Sequence, residues 1–123
     1  MQIRIYYEDT DAGGIVYHTN YLKYCERARS EHFFTNHMQP TLGDKSGFVV
    51  RDLQASFLAT AKLGDLLEVT TKIVTSQRSS IILLQEIWKE KEKVFTMEVR
   101  LVYLQEGKPH RIPDVFNRLF ETL

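Results

Sequence analysis

Apolar and polar residues alternate from the start of the chain: Ile3, Ile5 and Tyr7 against Arg4, Tyr6 and Glu8, which predicts a strand over 2–8. The segment Glu8-Asp9-Thr10-Asp11-Ala12-Gly13-Gly14 breaks that pattern with paired glycines and short polar side chains, the composition of a loop. Over 20–37 the period becomes helical. Tyr21, Leu22, Cys25, Ala28, His32 and Phe33 share one stripe, and Glu26, Arg27, Ser30 and Glu31 lie on the other side. Thr19 or Asn20 is the expected N-cap, and Arg27 with Glu31 forms an i,i+4 pair of opposite charge. A loop holding Pro40, Gly43, Asp44 and Gly47 follows.

Four strands come next, over 48–58, 66–76, 80–90 and 94–104. In the first, Leu53, Ala55 and Phe57 alternate with Asp52, Gln54 and Ser56. In the third, Ile81-Ile82-Leu83-Leu84 is apolar on both faces, as in a central strand. The short connections, such as Gln77-Arg78-Ser79 and Lys91-Glu92-Lys93, make these strands antiparallel neighbours. Pro113 opens a last amphipathic helix, with Asp114 in its first turn and Phe116, Leu119, Phe120 and Leu123 on one face. The element order predicts an α+β fold in one domain over 1–123: a five-stranded antiparallel sheet curled round one long helix, with a short C-terminal helix. A sheet with a second face and two edges to cover predicts a homo-oligomer.

Charge narrows the partners. Lys+Arg and Asp+Glu balance at 16 each, so no basic excess draws the chain to nucleic acid or an anionic membrane surface. The N-terminus lacks the apolar core of a signal peptide, and no apolar run approaches the roughly 20 residues of a membrane-spanning helix. One cysteine, Cys25, cannot form an internal disulfide and fits a reducing compartment, so the expected location is cytoplasmic.

The loop from Tyr7 to Tyr21 concentrates the candidate chemistry: Glu8, Asp9, Asp11, Gly13, Gly14, His18 and Asn20. It runs into the long helix, whose first N–H groups and positive dipole end stabilise an oxyanion. A carboxylate held upstream by a glycine-rich turn can face such a carbonyl, which is a layout for acyl transfer. The same residues also read as an ordinary capped loop, and composition alone leaves both readings open. Spacing excludes an EF-hand for Glu8, Asp9 and Asp11, and the four histidines form no metal motif. Cys25, on the apolar stripe, reads as a buried structural thiol.

The run Tyr6-Tyr7-Glu8-Asp9-Thr10-Asp11-Ala12-Gly13-Gly14-Ile15-Val16-Tyr17-His18-Thr19-Asn20-Tyr21, followed by Tyr24-Cys25-Glu26-Arg27-Ala28-Arg29-Ser30-Glu31, resembles the hotdog-fold acyl-CoA thioesterases of the 4-hydroxybenzoyl-CoA thioesterase type. Within them it is similar to the bacterial branch encoded alongside the Tol-Pal envelope system. The resemblance implies a hotdog fold and hydrolysis of an acyl-CoA to free acid and CoA. Asp11 matches the family's nucleophile or general base, and His18 the helix start whose N–H polarises the thioester carbonyl. Gly13 and Gly14 then let the backbone approach the acyl group, and Tyr17, Asn20 and Tyr21 match positions that shape the pocket or fix the loop. Arg78 and Ser79 match a turn that contacts CoA and is more basic in the 4-hydroxybenzoyl-CoA enzyme. The resemblance implies no metal and no cofactor, a site at a dimer interface, a homodimer or homotetramer, and acyl-CoA or an acyl carrier protein thioester as substrate. Two other readings compete: a hotdog dehydratase or hydratase pairing His18 with Glu26 or Glu31, and a non-catalytic module that binds acyl carrier protein.

Overall fold

The computed structural model describes residues 1–123. Its elements are β1 (Gln2–Arg4), α1 (His18–Thr35), β2 (Ser46–Phe57), β3 (Leu66–Ser76), β4 (Ser80–Lys89), β5 (Glu92–Gln105), β6 (Lys108–Pro109) and α2 (Asp114–Phe120). One antiparallel sheet has the order β1-β3-β4-β5-β2, and β6 adds a sixth, two-residue strand against β5. The sheet curls over α1, which is about 27 Å long at 1.5 Å per residue. This is the hotdog arrangement expected from the sequence, with one strand more. No helix is long and apolar enough to cross a membrane.

The core lies between α1 and the concave face of the sheet. From the helix it takes Tyr21, Tyr24, Cys25, Ala28 and Phe33; from the sheet it takes Leu67, Val69, Ile81, Leu83, Ile87, Phe95, Met97 and Val99. The end of the domain is closed by an aromatic cluster in which Phe33, Phe48, Tyr103, Phe116 and Phe120 meet edge to face or tilted. Leu123, expected on the buried face of α2, is 39% exposed because the helix stops at Phe120.

Four sequence-based expectations are corrected. β1 stops at Arg4, and Tyr7–Asp9 forms a 3-10 turn instead of continuing the strand. The cause is local: the Tyr6 N–H donates to Asp9 Oδ2 (2.8 Å) and the Asp9 N–H to the Tyr6 carbonyl (3.0 Å), which competes with a strand ladder. α1 starts at His18, so Thr19 and Asn20 lie in its first turn, and the N-cap is Tyr17 without a side-chain cap bond. Arg27 does not pair with Glu31. Its guanidinium lies over the Tyr24 ring (5.9 Å), and no Arg27–Glu31 ion pair forms. β2, expected to bury alternate residues, is an edge strand that leaves Val49, Val50, Leu53 and Phe57 exposed.

Candidate active site

The site is a small loop clamped at its base. Thr10 and Val16 form an isolated antiparallel bridge, Ile15 bridges Lys62, and the Val16 N–H donates to the Ala61 carbonyl (2.8 Å). Between these anchors the Asp11 N–H donates to Ile15 O (2.9 Å) and the Gly14 N–H to Asp11 O (3.0 Å). The turn needs φ +81° at Gly14, a conformation that costs an L side chain about 1–2 kcal/mol. Asp11 sits at the tip. Its Oδ1 accepts one bond, from the Gly13 N–H (2.8 Å), and the side chain is exposed, with acceptor capacity to spare. Gly13 permits this geometry, since a Cβ there would lie 3.3 Å from Asp11 Oδ1.

The helix start is open. The Tyr17 N–H donates to Asp9 O and the Asn20 N–H to Tyr17 O, both at 2.9 Å, but the His18 and Thr19 amides donate to no carbonyl of the chain. Two unpaired amides at the positive end of an 18-residue helix are donors available to a substrate oxygen. The exposed His18 ring lies between Tyr17 (centroids 4.7 Å apart) and Phe57 (5.8 Å, edge-on).

The sequence-nominated residues divide into groups. Asp11 and Gly14 line a cavity of about 530 Å³ with Tyr7, Thr10, Ala12 and Leu63. Tyr17 is 48% exposed beside His18. Asn20 points inward, its amide donating to Asp9 O (2.9 Å), so it fixes the loop. Tyr21 is buried: it stacks on Phe95 (5.4 Å), and its hydroxyl accepts the Ala61 N–H (3.2 Å). Burial, followed by the charge on Asp65, raises its pKa, while the Ala61 bond opposes the shift. Tyr21 supports the loop from below. Arg78 and Ser79 lie elsewhere, in the β3–β4 turn; Ser79 lines a separate groove of about 520 Å³ with Gln77, Arg51 and Arg100. Cys25 is fully buried, and burial pushes its thiol up to about 12, so it is no nucleophile.

Sequence reasoning missed two residues and the role of a third. Tyr7, taken as a strand position, is 82% exposed on the cavity wall beside Asp11. Phe57 ends β2 against the His18 ring. Asp9, one acidic residue among three, holds the turn. The adjacent Tyr6-Tyr7 pair just before the break in alternation was the available signal for the first.

The glutamates of the dehydratase reading are poorly placed within one chain. Glu26 lies eight residues along α1 from His18, about 12 Å by helical rise, and its Oε1 accepts the Ser30 hydroxyl (2.7 Å).

Comparisons with known proteins identify the family. A family model described as the thioesterase superfamily matches residues 13–96. The acyl-CoA thioesterase YbgC of Helicobacter pylori is 39% identical over 134 aligned positions, covering 100% of both chains. Among solved structures, a probable thioesterase from Bartonella henselae superposes with TM-score 0.85 at 35% identity, covering 92% of this chain and 97% of that one. The Synechocystis 1,4-dihydroxy-2-naphthoyl-CoA thioesterase Slr0204 superposes with TM-score 0.90 at 21% identity, covering 100% and 95%, a likeness of fold. The chain therefore belongs to the thioesterase superfamily, in the hotdog fold.

Proposed function

We propose that this enzyme hydrolyses acyl-CoA thioesters, with Asp11 as the reacting carboxylate and the amide at His18 as the group that polarises the thioester carbonyl. The observation that carries the reading is the pairing of an exposed carboxylate, held by a glycine turn, with the unpaired amides of the helix that the same loop enters. The acyl-CoA thioesterase name of the full-length Helicobacter relative supplies the substrate class. A carbonyl oxygen seated at the His18 N–H gains most as it becomes an oxyanion, since that donor needs no reorganisation. The Asp11 carboxylate either adds to the carbonyl carbon, forming a mixed anhydride and expelling CoA thiolate, after which water opens the anhydride to release the acid and restore Asp11, or it takes a proton from the water that adds to the thioester directly. The C–S bond breaks in both routes, and thiolate is stable enough to leave without a strong acid. The His18 imidazole and Tyr17 border the sulfur and acyl ends, Gly13 and Gly14 allow close approach, and Arg78 and Ser79, which lie apart from this loop within one chain, meet the CoA tail only from a second copy.

The working unit is a homo-oligomer. β2 has one free edge and carries exposed Val49, Val50, Leu53 and Phe57, an apolar strip that needs cover. Pairing with the β2 edge of a second copy covers it and brings that copy beside the Phe57–His18 contact. A cytoplasmic location fits the lone buried cysteine.

The test is thiol release from a chain-length series of acyl-CoAs, with an acyl carrier protein thioester and crotonyl-CoA as further substrates. Asp11→Asn keeps the bond to Gly13 and the fold, yet loses about 10²–10⁴ in rate if Asp11 is a general base. An acyl adduct on Asp11 after rapid quench identifies the nucleophilic route. Near-normal turnover by Asp11→Asn refutes the mechanism. Hydration of crotonyl-CoA without CoA release establishes the dehydratase reading instead. No thiol release from any substrate leaves the binding module.

A further inference from the structure

Tyr24 is fully buried under the active-site loop, and its hydroxyl has no hydrogen-bond partner. Buried hydroxyls nearly always have one, and an orphaned one is costly, so this group calls for an explanation. Its surroundings narrow the choice. Tyr21 packs edge-on to the ring (6.2 Å), and Arg27 lies over it (5.9 Å). The one carboxylate acting on the hydroxyl is Asp9. Burial first, and then Asp9, raise the Tyr24 pKa well above that of an ordinary phenol.

Asp9 is the hinge pin of the loop. Its Oδ2 accepts the Tyr6 N–H (2.8 Å) and its N–H donates to Tyr6 O (3.0 Å), which makes the 3-10 turn. Its carbonyl accepts both the Tyr17 N–H and the Asn20 side-chain amide at 2.9 Å, which ties that turn to the start of α1. Asp11 follows two residues later. Any force on the Asp9 side chain therefore sets where the Asp11 carboxylate stands relative to the free amides of His18 and Thr19. A carboxylate has four acceptor sites, so Asp9 can hold Tyr6 and still receive a second donor.

We propose that Tyr24 is a positioning residue of this site: its buried hydroxyl donates to Asp9 when the loop closes on substrate, and so holds Asp11 at its working distance from the helix start. The proposal rests on Asp11 being the reacting carboxylate, and it reaches further by assigning the group that holds the loop. It explains why a tyrosine stands where phenylalanine would pack equally well.

The test compares wild type, Tyr24→Phe, Asp9→Asn and the double variant, using whichever of butanoyl-, octanoyl- or palmitoyl-CoA turns over fastest. Tyr24→Phe should lower kcat about 10- to 150-fold, the worth of one hydrogen bond to a charged group, and leave KM within about twofold. Its Tm should stay level or rise, because an unpartnered buried hydroxyl is gone. In the Asp9→Asn background Tyr24→Phe should cost much less than it costs in wild type, since a neutral amide oxygen is a weaker acceptor than the carboxylate. Amide exchange at Gly14 and Tyr17 in substrate-bound protein should speed up in Tyr24→Phe, a readout independent of chemistry. Wild-type kcat and exchange in Tyr24→Phe overturn the proposal, as do losses that multiply in the double variant. A Tm that falls together with kcat assigns the hydroxyl to packing through a buried water, and overturns it too. A failure of the Asp11 mechanism is distinguishable: Asp11→Asn would keep its turnover while these variants were being compared.

Discussion

Gln85 is the one fully buried polar residue in the chain, in the middle of β4 beneath α1. Its Nε2 donates to the Cys25 carbonyl (2.9 Å) and to Thr71 Oγ1 (3.1 Å), and its Oε1 accepts Arg29 Nη1 (2.9 Å). Burial lowers the Arg29 pKa, so the guanidinium has given up hydration and Gln85 is its hydrogen-bond acceptor in the protein. Gln85→Leu removes all three bonds. A hydrogen bond to a charged donor is worth about 1.5–3 kcal/mol and the two neutral ones about 1 kcal/mol each. The apolar burial of leucine returns about 1–2 kcal/mol, which leaves a net loss of about 3 kcal/mol. For a domain of this length that lowers Tm by roughly 10 °C. Urea unfolding followed by the fluorescence of Trp88, the only tryptophan, measures it, with an unchanged m-value as the sign that only stability moved. Replacing both partners, as Gln85→Leu with Arg29→Met, should recover at least half of the loss, because no buried donor is then stranded. A Gln85→Leu loss below about 1 kcal/mol, or a double variant no better than the single, refutes the assignment of this network as a helix-to-sheet tie.

Three further outcomes follow from the geometry. Gly13→Ala sets a Cβ 3.3 Å from Asp11 Oδ1, so kcat should fall roughly tenfold with little change in Tm, whereas Gly14→Ala, forced to φ +81°, should lower Tm as well; steady-state kinetics and calorimetry separate the two. The Asp65 carboxylate is pushed up by burial, but the Lys62 N–H (2.9 Å) and Lys89 (3.1 Å) pull it net below its ordinary 3.8. Its stabilising contribution should be complete above that value and disappear as pH falls through the lower folded value, and Asp65→Asn should flatten that part of an acid-unfolding curve. Cys25, buried with its thiol pushed up to about 12, should react with a thiol reagent only as fast as the protein unfolds, and rapid labelling of the native enzyme would contradict its burial.

How much of this was legible in the sequence depends on the range of the forces involved. The strands β3, β4 and β5 and the long helix are set by the period of their apolar residues, a local signal, and their bounds agree with the pattern to within a few residues. Alternation carried Ile3, Ile5 and Tyr7 one turn too far, because a single side-chain bond from Asp9 outweighs the ladder there. β2 shows the limit from the other side. Its alternation is that of a half-buried strand, but it lies at the sheet edge and meets α1 only near its ends, through Phe48 and Phe57, so Val49, Val50 and Leu53 stay exposed in one chain. The pattern registers an apolar face, and the cover proposed for it, a second copy, is not written in the alternation of a single strand. The site divides on the same principle. Asp11, Gly13, Gly14 and His18 are neighbours along the chain, so one loop assembles them and the motif reports them together. The groups that hold them are not neighbours. Asp9 reaches Asn20 and Tyr21 reaches Ala61, contacts that exist only once the loop and α1 have packed against their neighbours. A substitution at the motif should therefore show first in chemistry, and a substitution at its support first in the position of the loop, with the Tyr24–Asp9 pair where the two readouts meet.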